Sequence, residues 1–277
     1  MPEFKARVSI PFLNCANFEF LSFITMNAMR IQLKSLLFIL LLLATSCKVN
    51  HLAQIQPQDY RMDPKSNAIP AADAQIEALI APYKVKLDAE MNTVLGVAAK
   101  TLAKGKPESP LGNWMADLFY EQMDEYTKGN IDFASMNYGG IRIPTLQEGE
   151  VTRGKIFELM PFDNMLVVVH ADGATVQQFA DNAAKDGGIP VSKQLHFEIK
   201  NGKATNVTIK GEPLQKDKIY HIGVSDYVAN GGDDASFFID KKRDDLGILM
   251  RDAIIEYVKK QTAQGKKLDA KKDGRVK

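Results

Sequence analysis

Three short segments of the chain collect the residue types that recognise small polar ligands. Asn137-Tyr138-Gly139-Gly140-Ile141-Arg142 sets two glycines between a carboxamide and a guanidinium. Glycine permits positive φ and close approach of a ligand to the backbone. Arginine offers a planar fork suited to carboxylate or phosphate oxygens. A plain β-turn with a surface arginine satisfies the same pattern. Pro161-Phe162-Asp163-Asn164 places an aromatic ring beside an amide that both donates and accepts, although packing of Phe162 into a core is a competing reading. Tyr227-Val228-Ala229-Asn230-Gly231-Gly232-Asp233-Asp234 follows the same order of aromatic, glycines and carboxylate. Two rings with an amide, an arginine and an aspartate are the parts needed to stack a flat heterocycle and hold an attached sugar. Such stacking is worth roughly 1–3 kcal/mol per base.

The residues of a hydrolytic centre are harder to find. Dinuclear phosphoesterases surround two metal ions with several His and Asp ligands at fixed spacing. The four histidines are His51, His170, His196 and His221, and none stands in an Asp-x-His or Gly-x-His arrangement. His196 and His221 fall within expected strands, where a sheet-face role is the simpler reading. No Gly-x-Ser-x-Gly turn supports a serine nucleophile. The expectation is a chain without a catalytic or metal-binding residue of its own.

The ligand-type segments must be carried by regular elements. From Ala74 the pattern is helical, with Ile76, Leu79 and Ile80 on one face and Val85, Leu87 and Met91 following Pro82. A strand is expected at Thr93–Ala98. Ser109 and Pro110 suit the start of a helix whose Leu111, Trp114, Met115, Leu118, Phe119 and Met123 recur at three and four, stopped by Gly129-Asn130. A brief strand follows at Ile131–Met136, then a helix at Arg153–Met160, a strand at Met165–His170 and a helix at Ala174–Ala184. Asn201-Gly202 marks a hairpin between Leu195-Phe197-Ile199 and Val207-Ile209. Tyr220–Val228 reads as a strand, Leu246–Val258 as a final helix, and the lysine-rich stretch after Lys259 as a mostly solvated tail. The hairpin among alternating helices and strands implies a single α+β domain, a mixed β-sheet covered by helices, spanning residues 74–277.

The N-terminal region has a different character. Arg30 and Lys34 precede the apolar run Leu36–Leu43 and then Ala44-Thr45-Ser46-Cys47, the order of a secretory signal with its cleavage site. The run is far shorter than the roughly 20 residues of a membrane span. Residues 1–46 are therefore expected to be an upstream extension and signal peptide, with Met26 or Met29 the better start. The segment resembles bacterial lipoprotein signals, in which Cys47 is lipidated and becomes the first residue. Residues 47–73, with Pro57, Pro64 and Pro70 among polar residues, read as a flexible tether. Cleavage leaves no second cysteine and hence no disulfide. A net charge of +1 gives no case for nucleic acid.

Taken in order, Gly112-Asn113-Trp114-Met115-Ala116-Asp117, Asn137–Arg142, Pro161–Asn164 and Ala229–Asp233 resemble the C-terminal domain of 5'-nucleotidases and UDP-sugar hydrolases. The likeness covers about Ala74 to Val276. It implies a domain that binds a nucleoside or nucleotide, with Phe162 and Tyr227 sandwiching the base and Asn164 at the base edge. Asn137 and Arg142 would lie on the ribose or phosphate side, beside Gly139 and Gly140, and Asp233 with Gly232 would meet the ribose hydroxyls. Tyr227 stands where the family usually has phenylalanine, Asp163 where it often has glycine, and Lys104 and Lys106 near where it has arginines. The resemblance further implies that hydrolysis belongs to a separately encoded metallophosphoesterase carrying two divalent metals. The chain would meet it at the bacterial cell envelope through a lipid anchor. The alternative is a structural or ligand-scavenging lipoprotein that keeps only the fold.

Overall fold

The computed structural model describes residues 74–277; the expected signal peptide, Cys47 and the tether lie outside the described residues. Helix α1 (Ala74–Met91) carries Pro82 within it and buries none of its side chains. Its apolar residues, Ile76, Leu79, Ile80, Tyr83 and Leu87, are exposed. The chain then forms β1 (Val94–Ala98) and β2 (Leu102–Ala103), which pair antiparallel with β5 (Gly149–Thr152) and β4 (Thr145–Leu146) respectively.

Helix α2 (Pro110–Tyr126) starts as its sequence dictates. Ser109 is the N-cap, its hydroxyl accepting from Gly112 N at 3.1 Å, and Pro110 occupies the first turn, where its missing N–H costs nothing. Leu111, Trp114, Met115, Leu118, Phe119 and Met123 are all buried. The chain leaves the helix through Lys128 and Gly129, both at positive φ.

The central sheet has the order β11-β6-β10-β3. In it β6 (Met165–Asp172) lies antiparallel to both β10 (Ile219–Ser225) and β11 (Arg243–Leu249), while β3 (Phe133–Ala134) runs parallel to β10. Alternation along β6 explains its unbroken apolar run. Leu166 and Val168 face the cluster built by α2 and α6 (Met250–Ala263), whereas Val167, Val169 and Ala171 face the cluster of α4 (Gly173–Lys185) and the hairpin. A strand covered on both sides has no polar face to show.

The hairpin β7 (Leu195–Lys200) and β8 (Lys203–Ile209) turns at Asn201 (φ 52°) and Gly202 (φ 71°), with Lys200 opposite Lys203. Positive φ at both turn residues is what a two-residue Asn-Gly hairpin requires. With β9 (Glu212–Pro213) it forms a separate three-stranded sheet. The expected mixed β-sheet is the four-stranded one, accompanied by smaller antiparallel sheets.

Two expected boundaries are corrected. The strand reaching Val228 ends at Ser225, whose hydroxyl accepts from Val228 N at 3.2 Å and caps the short helix α5 (Asp226–Ala229). The helix expected at Leu246 begins at Met250, because residues 243–249 extend to form the edge strand β11 beside β6. The tail is mostly exposed, with three residues anchored in the core. Leu268 bridges to Ala98 and Val276 to Phe197, both buried, and Arg275 is buried with them.

Candidate functional site

Strand directions decide where the three ligand-type segments meet. The segment Asn137–Arg142 follows β3, and Tyr227 follows β10, parallel to it. The Phe162 turn precedes β6, which runs the opposite way, and Ser225 of β10 lies opposite Leu166 of β6. All three therefore emerge at one end of the sheet. The end of β11 joins them, with Leu249 opposite Met165.

These segments enclose a cavity of about 360 Å³, within the size range of small-molecule sites. Asn137, Gly139, Gly140, Arg142, Phe162, Asn164, Tyr227 and Asp233 line it, together with Met160 and Met250. Gly232 lines an adjoining cavity of about 200 Å³, whose wall shares Asn137, Gly139 and Asp233 with the first. Phe162 is not a core residue: it is 40% exposed and Tyr227 45%. Among the described residues neither ring stacks on another aromatic ring. Arg142 stands 5.6 Å from the Phe162 ring centroid and donates to Gly139 O at 3.3 Å.

Asp226 ties the two aromatic turns together. Its Oδ1 accepts from Asn164 Nδ2 at 2.8 Å and from Tyr227 N at 2.7 Å. The Tyr227 hydroxyl donates to Asp233 Oδ1 at 2.9 Å, and that bond to a carboxylate pushes the phenol pKa above its ordinary value. Asp233 and Asp234 are held at positive φ, and Asn182 Nδ2 donates to Asp233 O at 2.9 Å.

Of the two properties glycine offers, positive φ is not used at Gly139, Gly140 or Gly232. Gly139 and Gly140 lie in a 3-10 turn (Tyr138–Gly140) and are not at positive φ. At Gly140 a Cβ would lie 2.8 Å from Met136 Cε and 2.9 Å from Asn137 Oδ1, so a larger residue would displace the ends of those side chains. At Gly232 a Cβ would lie 2.5 Å from the Tyr227 ring.

Three cations flank the Gly139 side. Lys104 Nζ lies 3.9 Å above the Tyr138 ring and donates to Ile141 O at 2.7 Å. Lys106 Nζ lies 4.8 Å from the same ring centroid. Burial, then the charges of Arg142 and Lys106, lower the pKa of Lys104.

Away from this cavity, His170 and His221 pair across β6 and β10 with ring centroids 4.5 Å apart, and His170 Nε2 lies 2.6 Å from Asp244 Oδ2. His196 Nε2 lies 2.9 Å from Lys193 O. Among the described residues no group of three or more His, Cys, Asp or Glu is placed to hold a metal ion.

Comparison with known proteins agrees with the resemblance. The family described as 5'-nucleotidase, C-terminal domain matches residues 91–240, more than half of the chain. This chain belongs to that family. Cell wall protein Lmo0130 of Listeria monocytogenes is 28% identical over 248 residues, covering 80% of this chain and 31% of that protein. Protein UshA of Escherichia coli K12 is 27% identical over 169 residues, covering 59% of this chain and 30% of UshA. The chain spans about a third of the length of these curated relatives. Among solved structures, a 5'-nucleotidase precursor from Thermus thermophilus superposes with a TM-score of 0.62 at 27% identity, covering 73% of this chain and 42% of that one.

Several residues of this 5'-nucleotidase C-terminal domain site are not marked by any motif in the sequence. Asp226 carried a weak signal, standing between a capping serine and the aromatic. Met160 and Met250, which line the cavity, and Arg251, which lies behind the Phe162 turn, carried none. No described helix is long and apolar enough to cross a membrane.

Proposed function

We propose that this domain binds a nucleoside or nucleotide in the 360 Å³ cavity, the base lying between Phe162 and Tyr227. The observation that carries this reading is that two half-exposed rings, from turns far apart in the chain, line one cavity of suitable size. The Asn164 amide, oriented by Asp226, meets the base edge. One Asp233 oxygen is held by the Tyr227 hydroxyl, and the carboxylate keeps capacity to accept from ribose hydroxyls. Asn137 and Arg142 face the ribose or phosphate side, and the backbone around Gly139, Gly140 and Gly232 gives the ligand room.

The chain acts as the recognition part of a 5'-nucleotidase-type hydrolase, and a two-metal phosphoesterase domain, separately encoded, supplies the hydrolysis. Residues 36–47 direct the chain to the bacterial cell envelope, where lipidation of Cys47 anchors it.

Titration calorimetry with AMP and adenosine tests the binding reading. Wild-type protein is expected to bind, and Phe162→Ala to bind about tenfold more weakly or worse, since stacking contributes roughly 1–3 kcal/mol. Phosphate release is expected only once the phosphoesterase is added. Absence of heat with every nucleoside and nucleotide supports instead a protein that has kept the fold alone.

A further inference from the structure

The Phe162 turn is held from behind by the first residues of α6. Met250 N donates to Asn164 O at 2.8 Å. The next residue, Arg251, has a largely buried side chain, and its guanidinium does three things at once. It donates to Phe162 O at 3.3 Å, pairs with Asp163 Oδ1 at 2.6 Å, and lies 4.2 Å from the centroid of the Phe157 ring on α3 (Arg153–Leu159). Three successive residues of the turn, Phe162, Asp163 and Asn164, are thus fixed by two successive residues of one helix. Asp163, which stands where glycine is frequent in the resembling family, does not line the cavity, and its Oδ1 is paired with Arg251 behind the turn.

An ion pair whose carboxylate is largely exposed adds little to global stability. Its effect is local. A half-exposed ring on a proline-led turn has no core to hold it, and a planar guanidinium stacked on Phe157 can carry both hydrogen bonds in one fixed geometry. We propose that Arg251 is a positioning residue for the ligand cavity, setting the Phe162 ring by bracing its backbone carbonyl and the neighbouring Asp163. This rests on the nucleotide-binding reading above.

The test is a double-mutant comparison on the full chain with AMP as the probe, pairing calorimetric affinity with thermal midpoints. Arg251→Ala and Asp163→Ala are expected to weaken AMP binding, Arg251→Ala by about tenfold, the loss bounded by that of removing the ring. Arg251→Lys, which keeps charge but not the fork, should recover part of the loss. The decisive comparison is in the Phe162→Ala background, where Arg251→Ala should add no further loss, because the residue acts through a ring that is no longer there. Losses that add in full in that background, or wild-type affinity in both Arg251→Ala and Asp163→Ala, overturn the inference while leaving the cavity assignment intact. Should Arg251→Ala fold poorly, Asp163→Ala alone and in the Phe162→Ala background takes its place, with wild-type affinity alone or full additivity in that background overturning the inference. A wild-type protein that does not bind AMP removes the reading of the cavity and this inference with it.

Discussion

At the scale of single residues, the Tyr227 ring is placed from two directions. Asp226 fixes its backbone, and its hydroxyl is tied to Asp233. The space beneath the ring exists because residue 232 has no side chain: a Cβ there would sit 2.5 Å from the ring carbons. Gly232→Ala is therefore expected to push the ring out of position and weaken AMP binding by about tenfold, the order of one stacking contact. It should leave the thermal midpoint close to wild type, since Tyr227 is 45% exposed and contributes little to the core. Calorimetry beside a melting curve separates the two effects; unchanged affinity would show that the ring does not hold the ligand. The aromatic and polar types at 137, 142, 162, 164, 227 and 233 were legible in the sequence because each stands in a compact motif. Asp226 was legible only weakly and Arg251 not at all, because what defines their role is a partner 62 or 88 positions away. No local pattern carries that information.

At the scale of elements, legibility followed the strength of the local signal. Helix α2 combines a capping serine, a first-turn proline and six apolar residues at helical spacing, and the Asn-Gly hairpin combines turn chemistry with alternation. Both stand where the sequence places them. Residues 243–249 show no such agreement. Leu246, Ile248 and Leu249 continue into a helical apolar pattern, yet Gly247 at φ 68° and pairing with β6 draw the segment into an irregular strand. Tertiary pairing overrode local preference there, and it is this strand that delivers Met250 to the cavity and Arg251 to the back of the Phe162 turn. The cap of α2 gives a prediction at the same scale. Ser109→Ala removes the oxygen that accepts from Gly112 N and is expected to cost about 1 kcal/mol. The midpoint should fall by about 2–4 °C in a domain of this size. AMP affinity should not change, as the cap lies outside the cavity lining.

For the whole molecule, the C-terminal segment is a clasp more than a tail. The Arg275 guanidinium is buried between Asp117 on α2 and Asp273, at 2.8 Å and 2.6 Å, and also donates to Val191 O at 2.9 Å. Glu108, just ahead of α2, accepts from Asp273 N and Gly274 N and from the Asn113 amide. The last strand-like residues thereby join the start of α2 to the hairpin edge, where Val276 bridges Phe197. Lysine-rich composition hid this, because one buried arginine among many exposed lysines does not register in a pattern. Arg275→Ala is expected to cost about 3 kcal/mol, the lower end for breaking a buried pair, because both carboxylates retain contact with water. Urea unfolding measures it. The hydrogen bond from Arg275 holds the Asp273 pKa below its ordinary value. The folded state thus binds that proton less readily than the unfolded chain. The associated stability is complete above the ordinary aspartate value of about 3.9 and is lost as pH falls through the lower folded value. In Arg275→Ala this acid-side loss should flatten.

One structure determination bears most directly on the central claim: the protein crystallised with AMP. The expected result is the adenine ring lying flat between Phe162 and Tyr227, its edge toward Asn164 and its ribose toward Asp233. Nucleotide bound elsewhere, with the space between those two rings vacant, would contradict it.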